Sequence, residues 1–332
     1  MRKIRLARLV LPALALGLAT TACANSGGGG GSGSGSGPVR GLQVIVPNSP
    51  GSGYDTTARA AVKAMEDAEL ARSVEVSNVA GAGGTVGLQR VVNEKGNGDL
   101  LLQMGLGLVG ATYTNKSKAT LKETTPIARL IQEAEVVVVP KDSPYQTLSD
   151  LIAAWKADPG KVPAGGASAP GGPDHLSLML LAQKAGVAPK DVNYVSYDGG
   201  GELMTALLGS KVAFGATGTG EVVEQAKSGK VRVLAVTSAQ RVPDVEAPTL
   251  KEAGVDLEFT NWRGLVAPPG ISDDDKAKLI GLVEKMRNSQ QWKDALAKHG
   301  WTDAYLSGDA FAAFLESEQQ RVQQVLGELG LA

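Results

Sequence analysis

Val44-Ile45-Val46-Pro47-Asn48-Ser49-Pro50-Gly51-Ser52-Gly53-Tyr54-Asp55-Thr56-Thr57-Ala58-Arg59 divides into strand, loop and helix. The run Leu42 to Val46 predicts a strand, which Pro47 ends by removing a ladder donor. A helix is expected from near Asp55. The Asp55 carboxylate would cap free N–H groups of the first turn, and Ala58, Ala61, Val62 and Met65 recur along one face. The intervening loop of Gly, Pro and Ser leaves backbone N–H groups at the positive end of a helix dipole, which suits an anionic group. An ordinary βα turn has the same composition, so this stretch alone leaves both readings open.

A second copy follows. Val74 to Val79 alternates as a short strand, Ala80-Gly81-Ala82-Gly83-Gly84-Thr85 is a glycine-rich turn, and Val86 to Val92 predicts a helix. Two successive βα units imply parallel strands whose loops emerge on one sheet edge and face one crevice. Gly81 and Gly83 fit the start of a dinucleotide fingerprint. Val86 at its sixth position, and a turn that follows a second strand instead of opening the fold, argue against one.

With 332 residues, 43% hydrophobic and 20% charged, the chain has material for two domains. Its net charge of −1 gives no electrostatic reason to expect nucleic acid as a partner. Arg2, Lys3, Arg5 and Arg8 precede an apolar run from Leu9 to Ala19, which reads as an export signal over residues 1–23 and is too short to span a bilayer comfortably. The single cysteine, Cys23, ends Leu18-Ala19-Thr20-Thr21-Ala22-Cys23 and has no partner for an internal disulfide. Residues 24–40, rich in Gly and Ser, read as a flexible tether with a reach of roughly 20 Å.

Further on, Leu100 to Met104 predicts a third strand, followed by a polar stretch through Lys116, Lys118 and Lys122. Glu135-Val136-Val137-Val138-Val139-Pro140 predicts a fully buried strand, and the chain is expected to cross into a second lobe here. That lobe repeats the grammar. Strands within Val162–Gly166, Val192–Tyr197, Val212–Ala216 and Val231–Val236 alternate with small-residue loops, among them Ser168-Ala169-Pro170-Gly171-Gly172 and Asp198-Gly199-Gly200-Gly201. Helices are expected over Leu176–Ala185 and Glu202–Leu208. The return runs through Phe259 to Pro268, and from Ser272 onward the chain reads as helical, with Trp292 and Trp301 as packing anchors. The layout is thus 41–139 with 261–332 as lobe 1, and 140–260 as lobe 2.

Catalytic parts are scarce. The two histidines, His175 and His299, lack metal-site spacing, and no cofactor or metal is expected. Gly166-Ala167-Ser168-Ala169-Pro170 has Pro170 where a nucleophile elbow needs Gly, and His175 reads as a satisfied histidine. No phosphate-loop sequence of the GxxxxGK[ST] type is present.

An ordered series of residues carries a family resemblance. It comprises Val46-Pro47 with Pro50-Gly51 and Asp55 to Arg59; Asn78 with Gly81 to Gly84 and Gly87; Thr125-Pro126-Ile127-Ala128; Ser168 with Gly171 and His175-Leu176; Tyr197 with Gly199-Gly200; Val231 to Ser238; Arg241; Pro248-Thr249-Leu250 with Glu252 and Gly254; and Trp262 with Gly264. The chain resembles the substrate-binding proteins of tripartite tricarboxylate transporters, the group that includes the TctC and Bug proteins. Cys23 resembles the lipidated cysteine of a bacterial lipobox, with Thr20 departing from the usual Leu.

The resemblance implies a type II periplasmic-binding-protein fold, two α/β lobes joined by two crossover segments with a ligand cleft between them. It implies an exported lipoprotein, periplasmic or anchored to the outer face of the cell membrane. Such a protein captures a small organic carboxylate and delivers it to integral-membrane transporter subunits; a monomer is expected. Carried onto matching positions, ligand contacts fall on Ser49, Ser52, Asp55, Gly81, Ala82, Gly83 and Gly84, and in the second lobe on Ser168, Ala169 and the loop near Asp198. Ser52 replaces a glycine, Tyr54 stands where a small hydroxyl residue is common, and Asp198 stands where a basic residue often follows the tyrosine. Tyr54 would narrow the pocket or stack on a ring; Asp198 would meet an ammonium group or disfavour a highly anionic ligand. Competing classes are an exported enzyme acting on a small organic acid in the same cleft, and the effector-sensing domain of a regulator.

Overall fold

The computed structural model describes residues 37–331. The export signal, Cys23 and most of the tether lie outside them. Residues 39–40 of the expected tether form a short strand, β1 (Val39–Arg40), parallel to β3 (Ala71–Arg72). Between these lie β2 (Gln43–Val46) and helix α1 (Gly53–Asp67). The cap of α1 is Ser52 and not Asp55: the Ser52 Oγ accepts the Asp55 N–H at 3.3 Å, which leaves the Asp55 carboxylate for longer-range partners.

The second unit is β4 (Glu75–Asn78), a single 3-10 turn over Ala82–Gly84, and α2 (Thr85–Asn93). Strand β5 (Leu100–Gly105) then runs straight into α3 (Leu106–Thr114). Helix α3 falls where the sequence suggests only a glycine-rich strand end and a polar stretch. Leu106, Leu108 and Val109 are fully buried, so no polar face marks it as helical. Strands β4 and β5 flank β2, both parallel to it, which brings the two glycine loops to one edge.

Strand β6 (Thr125–Pro140) is continuous over 16 residues. The chain then forms α4 (Leu148–Ala157), β7 (Ala164–Gly166), α5 (Pro173–Ala185), β8 (Tyr194–Ser196), α6 (Gly200–Leu208), β9 (Phe214–Gly218), α7 (Thr219–Lys227) and β10 (Val231–Val236). It returns through β11 (Thr260–Ala267), α8 (Asp273–Asn288), α9 (Gln290–His299), β12 (Thr302–Ser307) and α10 (Gly308–Glu328). Strand β12 interrupts what reads as an unbroken helical tail, because it gains ladder partners from β6.

Two lobes share β6. Its residues up to Ala134 pair with β11 and β12, whereas Glu135 to Pro140 pair with β9 and β10. The strand therefore changes sheets at Ala134/Glu135, ahead of the expected crossing at Val139–Pro140. No turn marks the change, because the backbone stays extended through it. The core of the first lobe joins β2, β5 and β11 to Leu279, Val283, Met286, Phe311 and Leu315. Side chains of the valine run alternate between two second-lobe cores, Val137 and Val139 in one and Val136 and Val138 in the other. Trp292 and Trp301 are both buried, 6.3 Å apart between ring centroids.

Candidate functional site

The first glycine loop is held to the second by one carboxylate. Asp55 accepts hydrogen bonds from the Gly51 N–H, from Arg59 Nε and from Asn78 Nδ2, each at 2.9 Å. Asn78 also donates to the Asn48 carbonyl at 2.9 Å. Burial works against the Asp55 charge, but the bonds from Arg59, Gly51 and Asn78 together hold its pKa below the usual carboxylate value. Asp55 is thus occupied in joining the loops.

The second loop has an unusual backbone. Gly81, Ala82, Gly83 and Gly84 have φ of 136°, 48°, 63° and 100° in succession. At Gly83 an added Cβ would lie 2.7 Å from the Ala111 Cβ, so both conformation and space require glycine there. The N–H groups of Gly81, Ala82 and Gly83, and those of Gly53 and Tyr54 in the first turn of α1, find no acceptor among the described residues. Such a run of free donors is an anion-binding concavity.

Tyr54 braces this wall. It is 8% exposed, its hydroxyl oxygen accepts the Leu108 N–H at 3.0 Å, and its ring edge lies where side chains at Gly105 or Gly107 would intrude. Burial pushes its pKa up to about 12. The phenol therefore fixes the start of α3 against α1.

A cavity of about 460 Å³ opens between the lobes. From the first lobe it is lined by Ser49, Ser52, Tyr54, Gly81, Ala82, Gly83 and Gly84, and from the second by Ser168, Ala169 and Asp198. Asp55, behind the first loop, does not line it. Ser168 Oγ accepts the Asp174 N–H at 3.2 Å, and its carbonyl accepts the Tyr194 hydroxyl at 2.6 Å. His175 is buried and its Nδ1 accepts the Gly171 N–H at 3.2 Å; burial lowers its pKa to about 4, so it is neutral. The lobes touch beside the cavity. A Cβ on Gly110 of α3 would collide with the Gly171 carbonyl, and Thr114 Oγ1 donates to the Pro170 carbonyl at 3.4 Å.

The floor is the part that local reading missed. Asp174 and Glu221, from the first turns of α5 and α7, line the cavity together with Asn261 and Arg263 of β11. Arg263, 5% exposed, donates to Glu133 of β6 and to Thr57 Oγ1. Burial raises the pKa of Glu133 against the lowering effect of Arg263. Both Glu135 oxygens are buried without a donor in the described chain. The Asp174 carboxylate is beside them and is also an acceptor, which favours the protonated form of one of the two. Burial first, and then the Asp174 charge, push Glu135 well above the ordinary value. Burial and the same Asp174 charge raise Glu221, which is bonded to Thr217, to about 7. The available signal was a charged residue inside each of two apolar strands, Glu135 before the valine run and Arg263 within Trp262 to Val266.

Residues 57–331 match the family described as "Tripartite tricarboxylate transporter family receptor". Protein BugT of Bordetella pertussis is 30% identical over 303 residues, covering 88% of this chain and 90% of that one. Among solved structures, a TctC solute binding protein from Polaromonas is 28% identical with a TM-score of 0.66, covering 88% of this chain and 99% of the other. MatC from Rhodopseudomonas palustris, solved with bound malate, is 26% identical with a TM-score of 0.76, covering 87% and 99%. The fold is that of the two-lobed periplasmic binding proteins. With this match over most of its length, the chain belongs to the tripartite tricarboxylate transporter receptor family, TctC/Bug, whose members are solute-binding receptors and not enzymes.

Proposed function

We propose that this receptor works outside the cytoplasm, captures a small organic carboxylate between its lobes and delivers it to the membrane subunits of a tripartite tricarboxylate-type transporter. The observation that carries the reading is the run of four positive-φ residues, Gly81 to Gly84, on the cavity wall, with free N–H groups there and in the first turn of α1. A carboxylate at these donors replaces water with charge-assisted hydrogen bonds of about 1.5–3 kcal/mol each. Neutral donors hold it without the desolvation cost of a further buried cation. Ser49, Ser52 and Tyr54 flank those donors, and Ser168, Ala169 and Asp198 close over the solute from the second lobe. Bound malate in MatC supports the chemical class. Native mass spectrometry of the purified protein, followed by calorimetric titration of the stripped protein with malate, succinate and related acids, tests it. A co-purified or titrated carboxylate is expected; binding by no organic acid would sink the reading.

The lobes that close are 41–134 with 261–332 and 135–260, with any change of angle taken up where β6 passes between sheets and where the chain enters β11. Export by residues 1–23 and lipidation of Cys23 would hold the receptor at the membrane, with the Gly/Ser segment as tether. Cys23→Ala is expected to move the protein from the membrane to the soluble fraction with its affinity unaltered. A variant still membrane-bound after a salt wash would rule out the anchor.

A further inference from the structure

Where the floor meets the cavity it is more acidic than basic. Asp174 and Glu221 line it, Glu133 and Glu135 lie next to them, and Arg263 is the guanidinium among them. Arg263 is engaged by Glu133 and Thr57 through its terminal nitrogens, and its buried Nε lacks a partner among the described residues. One proton shared by Glu135 and Asp174 still leaves acid in excess. Acidic residues commonly sit in first helical turns, where they complement the dipole. That reading accounts for Asp174 and Glu221 taken singly.

It does not account for their burial together beside two more carboxylates. Nor does it account for Asn261, which is 4% exposed and lines the same cavity while its Oδ1 lacks a partner. Buried lone pairs need donors, and the chain supplies too few. Among the described residues no group of His, Cys, Asp and Glu is arranged to hold a metal ion.

We propose that the solute carries a cationic nitrogen as well as a carboxylate, and that Asp174 and Glu221 hold the nitrogen while the N–H groups of Gly81, Ala82 and Gly83 hold the carboxylate. The inference rests on the carboxylate reading above and adds a second charge to it. Burial and mutual repulsion push Asp174 and Glu221 toward their protonated forms, which a cationic nitrogen between them would reverse and a second solute carboxylate would reinforce. A zwitterionic or ω-amino acid neutralises the floor instead. Asp198, exposed at the cavity, adds another acid on the second-lobe side.

Calorimetric titration of the stripped protein near neutral pH compares matched pairs: γ-aminobutyrate against succinate, ε-aminocaproate against adipate, and aspartate against malate, with putrescine as the purely cationic probe. The amino-carboxylate of at least one pair should bind tenfold or more tightly than its dicarboxylate. That ratio should fall at least tenfold in Glu221→Gln and in Asp174→Asn. Dicarboxylates binding more tightly in every pair would overturn the cationic subsite and leave the carboxylate reading standing. Putrescine binding alone, or no binding at all, would overturn both. A ratio unchanged in both variants, each with the wild-type melting temperature, would remove Asp174 and Glu221 from the role. The wild-type comparison needs no variant, so it decides the matter even if a floor substitution prevents folding.

Discussion

The first-lobe wall of the cavity presents backbone N–H groups of Gly81, Ala82 and Gly83 and of the first turn of α1, whereas its floor is made of the side chains of Asp174, Glu221 and Arg263. The wall is electrically neutral, does not titrate, and owes its shape to a few adjacent φ angles. The floor is charged, shares protons, and draws its members from β6, α5, α7 and β11. One side thus offers donors that are indifferent to pH, and the other acceptors whose strength depends on who else is buried with them. The difference separates what a loop can do alone from what needs the whole fold.

The largest effect is expected at the floor. Arg263→Met would leave Glu133 without its ion-pair partner among other buried carboxylates, at a cost of about 3–5 kcal/mol in chemical denaturation. A loss below about 1 kcal/mol would mean that the acids are neutral without the guanidinium, and the contrast with the wall would weaken.

The wall breaks at Gly84. A Cβ there would lie 3.2 Å from both Leu108 Cδ1 and Pro47 Cβ, at a φ of +100°. Gly84→Val should cost about 1–3 kcal/mol of stability through this strain. Its affinity should fall about a hundredfold, about 2.7 kcal/mol, as the neighbouring donors are displaced. Calorimetry beside thermal melts measures both, and unchanged affinity in a folded variant would take the solute off this loop.

Glu221 sharpens the pH contrast. Its pKa is raised from 4.5 to about 7, so the folded protein holds that proton more tightly than the unfolded chain. Stability from this group is fully present below pH 4.5 and is lost as pH rises through about 7. Relative to Glu221→Gln, the wild type should lose on the order of 1–3 kcal/mol between acid and mildly alkaline pH. His175 works in the opposite sense, because its depressed pKa removes stability as pH falls from 6.5 toward about 4. It is common to both proteins and cancels in the difference. Parallel melting curves would place Glu221 in an ordinary aqueous setting.

The smallest effect belongs to Ala82, a residue with a side chain at φ 48°. Ala82→Gly relieves left-handed strain and should gain less than about 1 kcal/mol, with affinity changed by less than about threefold. A larger shift in affinity would show that the Ala82 methyl contacts the solute.

The sequence by itself determined the wall. Pro47, the β-branched run before it and the glycines of the second loop specify strand ends and turns through local sterics. Two βα units in succession bring both loops to one edge through the handedness of the crossover. Local reading failed where a residue's partner is distant in the chain. Asp55 looks like a helix cap, yet its carboxylate is taken by Asn78, and α3 shows no periodicity because it is buried on more than one side. The change of sheet within β6 leaves no mark on an extended backbone. The floor was decided only by tertiary structure. Glu133 and Arg263 are 130 positions apart, and whether such charges pair, share a proton or meet a ligand depends on their separation in space and their removal from water.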